Sequence, residues 1–180
     1  MSKPALIVID LQNDYFPGGA FPLANTDAVL LAIERAIANA RAQGIPVVHV
    51  QHVADPQQGI APFFNAGTPG VGIHPRILGA APDAPVVVKH FADSFEGTRL
   101  HETLQQLGVD ELILCGMMTQ NCVTHTALSR QADRYKKVTV LTDACTTVSD
   151  MLHAIALHAL STRVSLAPAE QRLLSDQQQR

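Results

Sequence analysis

Short apolar runs rich in β-branched residues recur along the chain, and each is bounded by turn-forming or charged residues. The first of them reads ALIVID, with no polar position before its final Asp10. A continuous run of this kind is typical of a strand that is buried on both faces, as in a parallel sheet. The pattern predicts six strands, at Ala5–Asp10, Ile45–Val53, Pro85–Lys89, Glu111–Cys115, Lys137–Thr142 and Arg163–Leu166.

Helical periodicity separates these strands. Val29, Ile33 and Ile37 follow a capping segment, Asn25–Asp27, and Gly44 ends that helix. The other predicted helices are Thr98–Leu107, Thr119–Arg134, a Ser149-capped helix that reaches Leu160, and a short helix in the tail Pro168–Arg180. Residues 55–85 instead contain six Pro and five Gly. We expect this long segment to be an ordered excursion over the sheet with a functional role.

Strands that alternate with helices predict an α/β fold. We expect a Rossmann-like three-layer α/β/α domain of residues 1–180, with a six-stranded parallel sheet in the order 3-2-1-4-5-6. Ligands of such sheets bind beyond the carboxyl ends of the strands. The residues predicted at that edge are Asp10, Lys89 and the segment Gly116–Cys122.

The composition and charge of the chain limit the classes of binding partner that we expect. Charged residues make up 16% of the chain, against about 25% in a typical soluble domain, so we expect other subunits to cover part of the surface. A net charge of −3 without a basic run argues against nucleic acid, and the apolar runs are too short to span a bilayer. The first residues lack a signal-peptide pattern, so we expect a cytoplasmic protein with three free thiols, Cys115, Cys122 and Cys145.

Cys122 is the thiol with the most reactive predicted position. Thr119 is a candidate N-cap, which places Cys122 in the first turn of the following helix. Unpaired N–H groups and the helix dipole at that place lower the pKa of a thiol and form an oxyanion hole. The alternative is that Cys122 packs as a small buried hydrophobe, as we expect for Cys115 and Cys145.

Lys89 and Asp10 are the two charged residues that end buried strands. Lys89 closes the run Val86–Val88 and is one of only four lysines in the chain. A cation in this position needs a carboxylate partner, for which Asp10 is the natural candidate. Acid, cation and thiol together suit acyl transfer from an amide or a similar C–N bond.

Three segments carry a resemblance to a known family. They read DLQNDYF at Asp10–Phe16, KHFADSF at Lys89–Phe95 and CGMMTQNCVTHTA at Cys115–Ala127. In this order and spacing they resemble the isochorismatase-like cysteine hydrolases, a superfamily that includes nicotinamidases, N-carbamoylsarcosine amidases and isochorismatases. The resemblance covers nearly the whole chain.

The resemblance implies a role for each residue of the constellation. Cys122 would be the nucleophile, and Asp10 would take the thiol proton and deliver it to the leaving amine. Lys89 would hold Asp10 and help to keep the thiolate charged. The family also implies a cis peptide bond between Met117 and Met118, with the N–H groups of Met118 and Cys122 directed at the oxyanion.

The chain departs from the nicotinamidases in their metal motif. Those enzymes carry Asp-x-His at the end of the second strand, whereas this chain has His49-Val-Gln-His52, and His74 lies in the Pro/Gly-rich segment. Side chains three positions apart on a strand face opposite ways. We therefore expect no metal and no cofactor. True isochorismatases dispense with the Cys, so Cys122 favours hydrolysis of a C–N bond.

The expected function is hydrolysis of a small amide, ureido or lactam substrate through a Cys thioester. A metal-assisted nicotinamidase-like enzyme and a non-catalytic small-molecule binding or redox-sensing relative are the alternatives. The resemblance further implies a homo-oligomer, a dimer or a tetramer. The expected pocket residues are Asn13, Phe16, Phe63, Phe64, Phe95, Gln120 and Asn121.

Overall fold

Six parallel strands form one sheet in the computed structural model of the chain, which describes residues 2–173. The strands are β1 (Pro4–Ile9), β2 (Val47–His52), β3 (Val86–Lys89), β4 (Glu111–Met117), β5 (Lys137–Thr146) and β6 (Ser165–Ala167). Their order is β3-β2-β1-β4-β5-β6, and every pairing among them is parallel. This confirms the predicted fold class and strand order.

The burial of each strand follows from its place in the sheet. The central strands β1 and β4 are covered on both faces, which explains why their apolar runs are uninterrupted. β3 lies at an edge and alternates: Val86 and Val88 are 46% exposed, whereas Val87 and Lys89 are buried. In this register Lys89 lies beside His52 of β2, and both are the last residues of their strands.

Helices cover both faces of the sheet. They are α1 (Thr26–Ala42), α2 (Pro75–Ala80), α3 (Leu100–Gln106), α4 (Thr124–Ala127), α5 (Asp150–Leu160) and α6 (Ala169–Leu173). Helix α1 packs against α2 and α6, and α4 packs against α5. Among residues 2–173, no helix combines the length and the apolar character needed to cross a membrane.

The helix predicted over Thr119–Arg134 is wrong. A π-helical segment, Thr119–Val123, leads into α4, which ends at Ala127, and a separate 3₁₀ turn occupies Ala132–Arg134. The break has a local cause, because Ser129 directs a turn: its hydroxyl accepts the N–H of Gln131, at 3.2 Å, and its carbonyl accepts the N–H of Ala132. In the tail the structure describes α6, and the remainder of the predicted tail helix lies outside the described residues.

Buried polar side chains that follow β1 hold the excursion of residues 55–85 to the sheet. The carboxylate of Asp14 accepts the Phe64 N–H at 2.7 Å, and the Gln12 amide donates to the carbonyl of Val71 at 2.8 Å. Gly70 is packed so closely on Asp14 that a Cβ there would lie 1.9 Å from the carboxylate. The excursion is therefore fixed against the segment that carries Asp10.

Gly116 of β4 has no room for a side chain. Its φ is +126°, and an added Cβ would lie 2.0 Å from the carbonyl oxygen of Ile9 on β1. Steric overlap and an unfavourable φ each cost about 1–3 kcal/mol. We expect Gly116→Ala to lower the free energy of unfolding by at least about 2 kcal/mol, measured by urea denaturation.

Gly79 provides the matched control for this substitution. It lies in α2, and a Cβ there would have no heavy atom within 4 Å. Gly79→Ala should leave stability unchanged or raise it slightly, because Ala is the better helix former. Equal effects of the two substitutions would contradict the close approach of β4 to β1.

Candidate active site

The structure brings Asp10, Lys89 and Cys122 together at the carboxyl edge of the sheet. Lys89 Nζ lies 3.0 Å from Asp10 Oδ2 and 3.2 Å from Cys122 Sγ. Asp10 and Lys89 are fully buried, and Cys122 is 1% exposed. An acid, a cation and a thiol therefore share one dry cluster at the end of β1, β3 and β4, where the fold predicts a ligand site.

Asp10 presents its carboxylate to this cluster from a left-handed backbone. Its φ is +54°, its N–H donates to Val50 and its carbonyl accepts the N–H of Gln12. Among residues 2–173, neither carboxylate oxygen has a hydrogen-bond partner, since the contact with Lys89 is close in distance but poorly aligned. A buried carboxylate in this state is ready to accept a proton or an N–H.

Lys89 makes hydrogen-bond contacts with three acceptors and an ion pair with Asp10. Besides Asp10 and Cys122, its ammonium contacts His52 Nδ1 at 2.9 Å and the carbonyl of Phe91 at 3.0 Å. Burial alone would lower the pKa of Lys89, but the contacts with Asp10 and Cys122 outweigh burial and the pKa is raised. Lys89 therefore carries its charge inside the protein.

The surroundings of Cys122 disfavour its thiolate form in the absence of substrate. Burial first and the Asp10 charge second raise the pKa of Cys122, and Lys89 only opposes this effect. The expected lowering of this pKa is therefore wrong, because depth of burial outweighs the cation. The residue before the π-helical segment is Met118, and Thr119 is not the cap; the Thr119 hydroxyl contacts His153 Nδ1 at 2.9 Å instead.

The backbone that leads from β4 to Cys122 is irregular. The peptide bond between Met117 and Met118 is cis. Met118 lies between β4 and the π-helical segment, and its N–H makes no hydrogen bond among residues 2–173. Cys122 is the fourth residue of a five-residue segment, so its own N–H has no i−5 carbonyl within that segment.

His52 belongs to the cluster although sequence analysis did not assign it a role. Its Nδ1 faces Lys89, whereas Nε2 of His49 contacts the carbonyl of Ala81 at 3.2 Å. Burial, and then the charge of Lys89, lower the pKa of His52 to about 4, so the ring is neutral. The signal that could have found His52 is its register opposite Lys89 in the parallel pair of β2 and β3.

The same side chains form the one group among the described residues with the donor set of a metal site. One ligand atom each of Asp10, His52 and Cys122 lies within 4.8 Å of the others. However, all three atoms contact Lys89 Nζ at 2.9–3.2 Å. A charged ammonium thus occupies the position that a metal ion would need, and the residues present do not fit one.

Comparison with known proteins identifies the family of the chain. The model of the isochorismatase domain matches residues 4–169. The chain belongs to the isochorismatase family. One member, the uncharacterized isochorismatase family protein YddQ of Bacillus subtilis, is 40% identical over 145 residues, which are 81% of this chain and 78% of YddQ.

Two other similar proteins are a nicotinamidase/pyrazinamidase and a family protein of solved structure. The nicotinamidase/pyrazinamidase of Mycobacterium tuberculosis is 29% identical over 141 residues, 68% of this chain and 76% of that enzyme. An isochorismatase family protein from Desulfovibrio vulgaris superposes with a TM-score of 0.84 at 28% identity, over 94% of this chain and 95% of that one. This isochorismatase-family chain is therefore similar to hydrolases, one of which is named for an amide.

Aromatic residues pack in the vicinity of the cluster. The ring of Phe64 lies 4.5 Å from Tyr15, 4.9 Å from Phe63 and 5.9 Å from His52. Tyr15 was not among the expected pocket residues; burial and the charges of Asp10 and Cys122 raise its pKa, which indicates its proximity to them. The sequence feature that could have identified Tyr15 is its place in the segment DLQNDYF.

The other expected pocket residues are more dispersed. Asn13 and Phe16 line a cleft of about 600 Å³ with His74, whose ring lies 4.5 Å from Phe16. Phe95 has an aromatic contact with Tyr135, with ring centroids 6.1 Å apart. The Gln120 amide contacts Met118 Sδ, and the Asn121 carbonyl contacts His125.

The three thiols should differ in reactivity. Burial raises the pKa of all three thiols, but Cys122 has a cation 3.2 Å away that can stabilise its thiolate, and no cation of the described residues acts on the pKa of Cys115 or Cys145. We expect iodoacetamide to modify Cys122 first in the folded protein, as measured by peptide mass spectrometry. In denaturant all three should react at similar rates, and similar rates in the folded protein would contradict a special environment at Cys122.

Proposed function

We propose that the protein is a hydrolase that cleaves a C–N bond of a small amide, ureido or lactam substrate through a thioester on Cys122. The observation that carries the proposal is the buried carboxylate of Asp10, which lacks a hydrogen-bond partner among the described residues and lies beside a thiol and an ammonium. This arrangement has a proton acceptor, a nucleophile and a fixed positive charge within one site.

The first half of the proposed reaction forms the thioester. The Cys122 proton passes to Asp10 as the sulfur attacks the substrate carbonyl carbon, and Lys89 stabilises the thiolate charge. The N–H groups of Met118 and Cys122 would hold the oxyanion of the tetrahedral intermediate. Asp10 then gives its proton to the leaving nitrogen, the C–N bond breaks and the amine departs.

The second half regenerates the enzyme. Asp10, again a carboxylate, takes a proton from a water molecule that attacks the thioester carbon. The C–S bond breaks, the acid product leaves and the proton returns from Asp10 to Cys122. Asp10 takes up and releases one proton in each half, from Cys122 to the leaving nitrogen in the first and from water to Cys122 in the second, so no further acid or base is required.

The surroundings favour a small neutral substrate. Of the described side chains that contact or adjoin the triad, Phe64 and Tyr15 are aromatic and His52 is neutral. A charged substrate group would lose its hydration there without a counter-ion.

A cytoplasmic location and a dimer or tetramer remain predictions. The exposed apolar residues Met151 and Ile155 of α5 are where subunit contact would be sought.

Removal of the nucleophile tests the proposal directly. We expect Cys122→Ala to abolish release of ammonia or amine from a panel of small amides, ureides and lactams, a loss of at least about 10³-fold. The matched control is Cys145→Ala, a buried thiol outside the cluster, which should keep the activity. Full turnover by Cys122→Ala would show that the thiol is not the nucleophile.

Asp10→Asn tests the proton carrier with minimal change of structure. Asn has the same shape and tolerates the left-handed backbone that φ +54° requires, but it cannot accept the thiol proton. We expect turnover to fall by about 10²–10⁴-fold in a protein that still folds but has a lower thermal midpoint, because the buried Lys89 loses its counter-charge. Retained turnover would remove Asp10 from the mechanism.

The alternatives give different outcomes in the same experiments. Stoichiometric zinc or iron in the purified protein, with activity lost on chelation, would favour a metal-assisted nicotinamidase-like enzyme. Binding of a small molecule without any turnover by the unaltered protein would favour a non-catalytic relative.

A further inference from the structure

We propose that His52 is a positioning residue, whose Nδ1 accepts one N–H of Lys89 and thereby leaves a single N–H of that ammonium for Asp10 and Cys122 to share. The inference rests on the proposed function, since it assigns His52 a part in the same reaction. His52 touches neither of the two reacting groups by hydrogen bond; it acts through Lys89.

The ammonium of Lys89 has fewer donors than it has acceptors around it. An ammonium has three N–H donors. Four acceptor atoms lie within 3.2 Å of Lys89 Nζ: His52 Nδ1, the Phe91 carbonyl, Asp10 Oδ2 and Cys122 Sγ. His52 and Phe91 are neutral acceptors that keep their lone pairs through the reaction, so they fix two donors. One donor then remains for two acceptors.

The shared donor fits the movement of charge in the proposed reaction. Before proton transfer the negative charge is on Asp10, and afterwards it is on the Cys122 sulfur. The ammonium contacts both atoms, so its third N–H can follow the charge with a small rotation while the other two hydrogen bonds stay in place. A lysine without these two fixed contacts would have to reorient as a whole.

His52 is well suited to this role because its ring is neutral and its backbone is fixed. A pKa lowered to about 4 makes the ring neutral at neutral pH, and because the Lys89 ammonium can only donate, Nδ1 at 2.9 Å must be the acceptor and the ring proton is assigned to Nε2. The buried amide of Gln12 accepts the His52 N–H and donates to the His52 carbonyl, both at 2.7 Å. The ring therefore approaches Lys89 from a position that the sheet register and Gln12 both define.

Loss of the His52 acceptor should shift the position of the Lys89 ammonium, in addition to any effect on the stability of the fold. An ammonium in a dry site with an unsatisfied N–H moves toward any remaining acceptor, and the hydrogen bond to a charged group is worth a factor of about 10–100 in equilibrium. The consequence should be seen at Cys122, whose thiolate depends on the position of the ammonium.

The experiment compares three full-length variants. His52→Leu removes the acceptor, His52→Asn restores a side-chain oxygen near the place of Nδ1, and His49→Leu is the control. His49 is a buried histidine of the same strand that contacts Ala81 and lies outside the cluster. Three quantities are measured: the rate of Cys122 modification by iodoacetamide without substrate, kcat and KM on the best amide of the panel, and the thermal midpoint.

We expect His52→Leu to slow both the modification of Cys122 and kcat by about tenfold or more, with KM changed by less than about threefold. His52→Asn should recover most of both rates, and His49→Leu should keep both while lowering the thermal midpoint. Unchanged rates in His52→Leu, or no recovery in His52→Asn, would overturn the proposal. So would equal slowing by His49→Leu, because it would indicate a general effect on packing.

The modification assay separates this inference from the proposed function. If Cys122→Ala keeps full turnover, the proposed function fails, and the dependence of thiol reactivity on His52 is still measured without substrate. If Cys122→Ala is inactive while His52→Leu modifies at the rate of the unaltered protein, the function stands and the role of His52 is refuted.

Discussion

The buried ion pair between Lys89 and Asp10 is the interaction on which the site depends. Both charges are fully buried, and removal of each from water costs several kcal/mol before any contact repays it. The repayment comes from a complete set of acceptors around the ammonium, to which His52 and Phe91 contribute beside Asp10 and Cys122. The ends of β1, β2 and β3 must therefore meet at one point, and this requirement is met by the parallel register.

One segment after β1 supplies three different contacts to this arrangement. Asp10 faces the cluster, Gln12 fixes the backbone of His52, and Asp14 accepts the N–H of Phe64 in the excursion. Alternate residues thus join the reacting carboxylate, the end of the neighbouring strand and an aromatic side chain beside the site. A change at any of the three would be transmitted to Lys89 or to the residues that keep it dry.

Much of the fold was predictable, because uninterrupted apolar runs indicate strands that are buried on both faces of the sheet. Asp10 and Lys89 could be found for the same reason, since a charge that ends such a strand needs a partner. The helix after Cys122 was overextended, because apolar periodicity does not reveal a turn directed by Ser129. The sign of the Cys122 pKa shift was wrong, because burial comes from the packed surroundings, which no local pattern shows. The place of His52 beside Lys89 could not be predicted from one segment, because it depends on the register between β2 and β3.

A buried thiol with a raised pKa is consistent with an efficient nucleophile if the proton never has to reach solvent. Transfer from Cys122 to Asp10 leaves the cluster with one positive and one negative charge, both before and after the step. Because Lys89 contacts both atoms, the negative charge remains beside the ammonium throughout. The free-energy cost of burying the charges is met when the protein folds. The reaction then only moves the negative charge between two atoms that face the same fixed ammonium. The raised pKa of the free thiol is therefore a measure of isolation from water and not of weak reactivity toward a bound carbonyl.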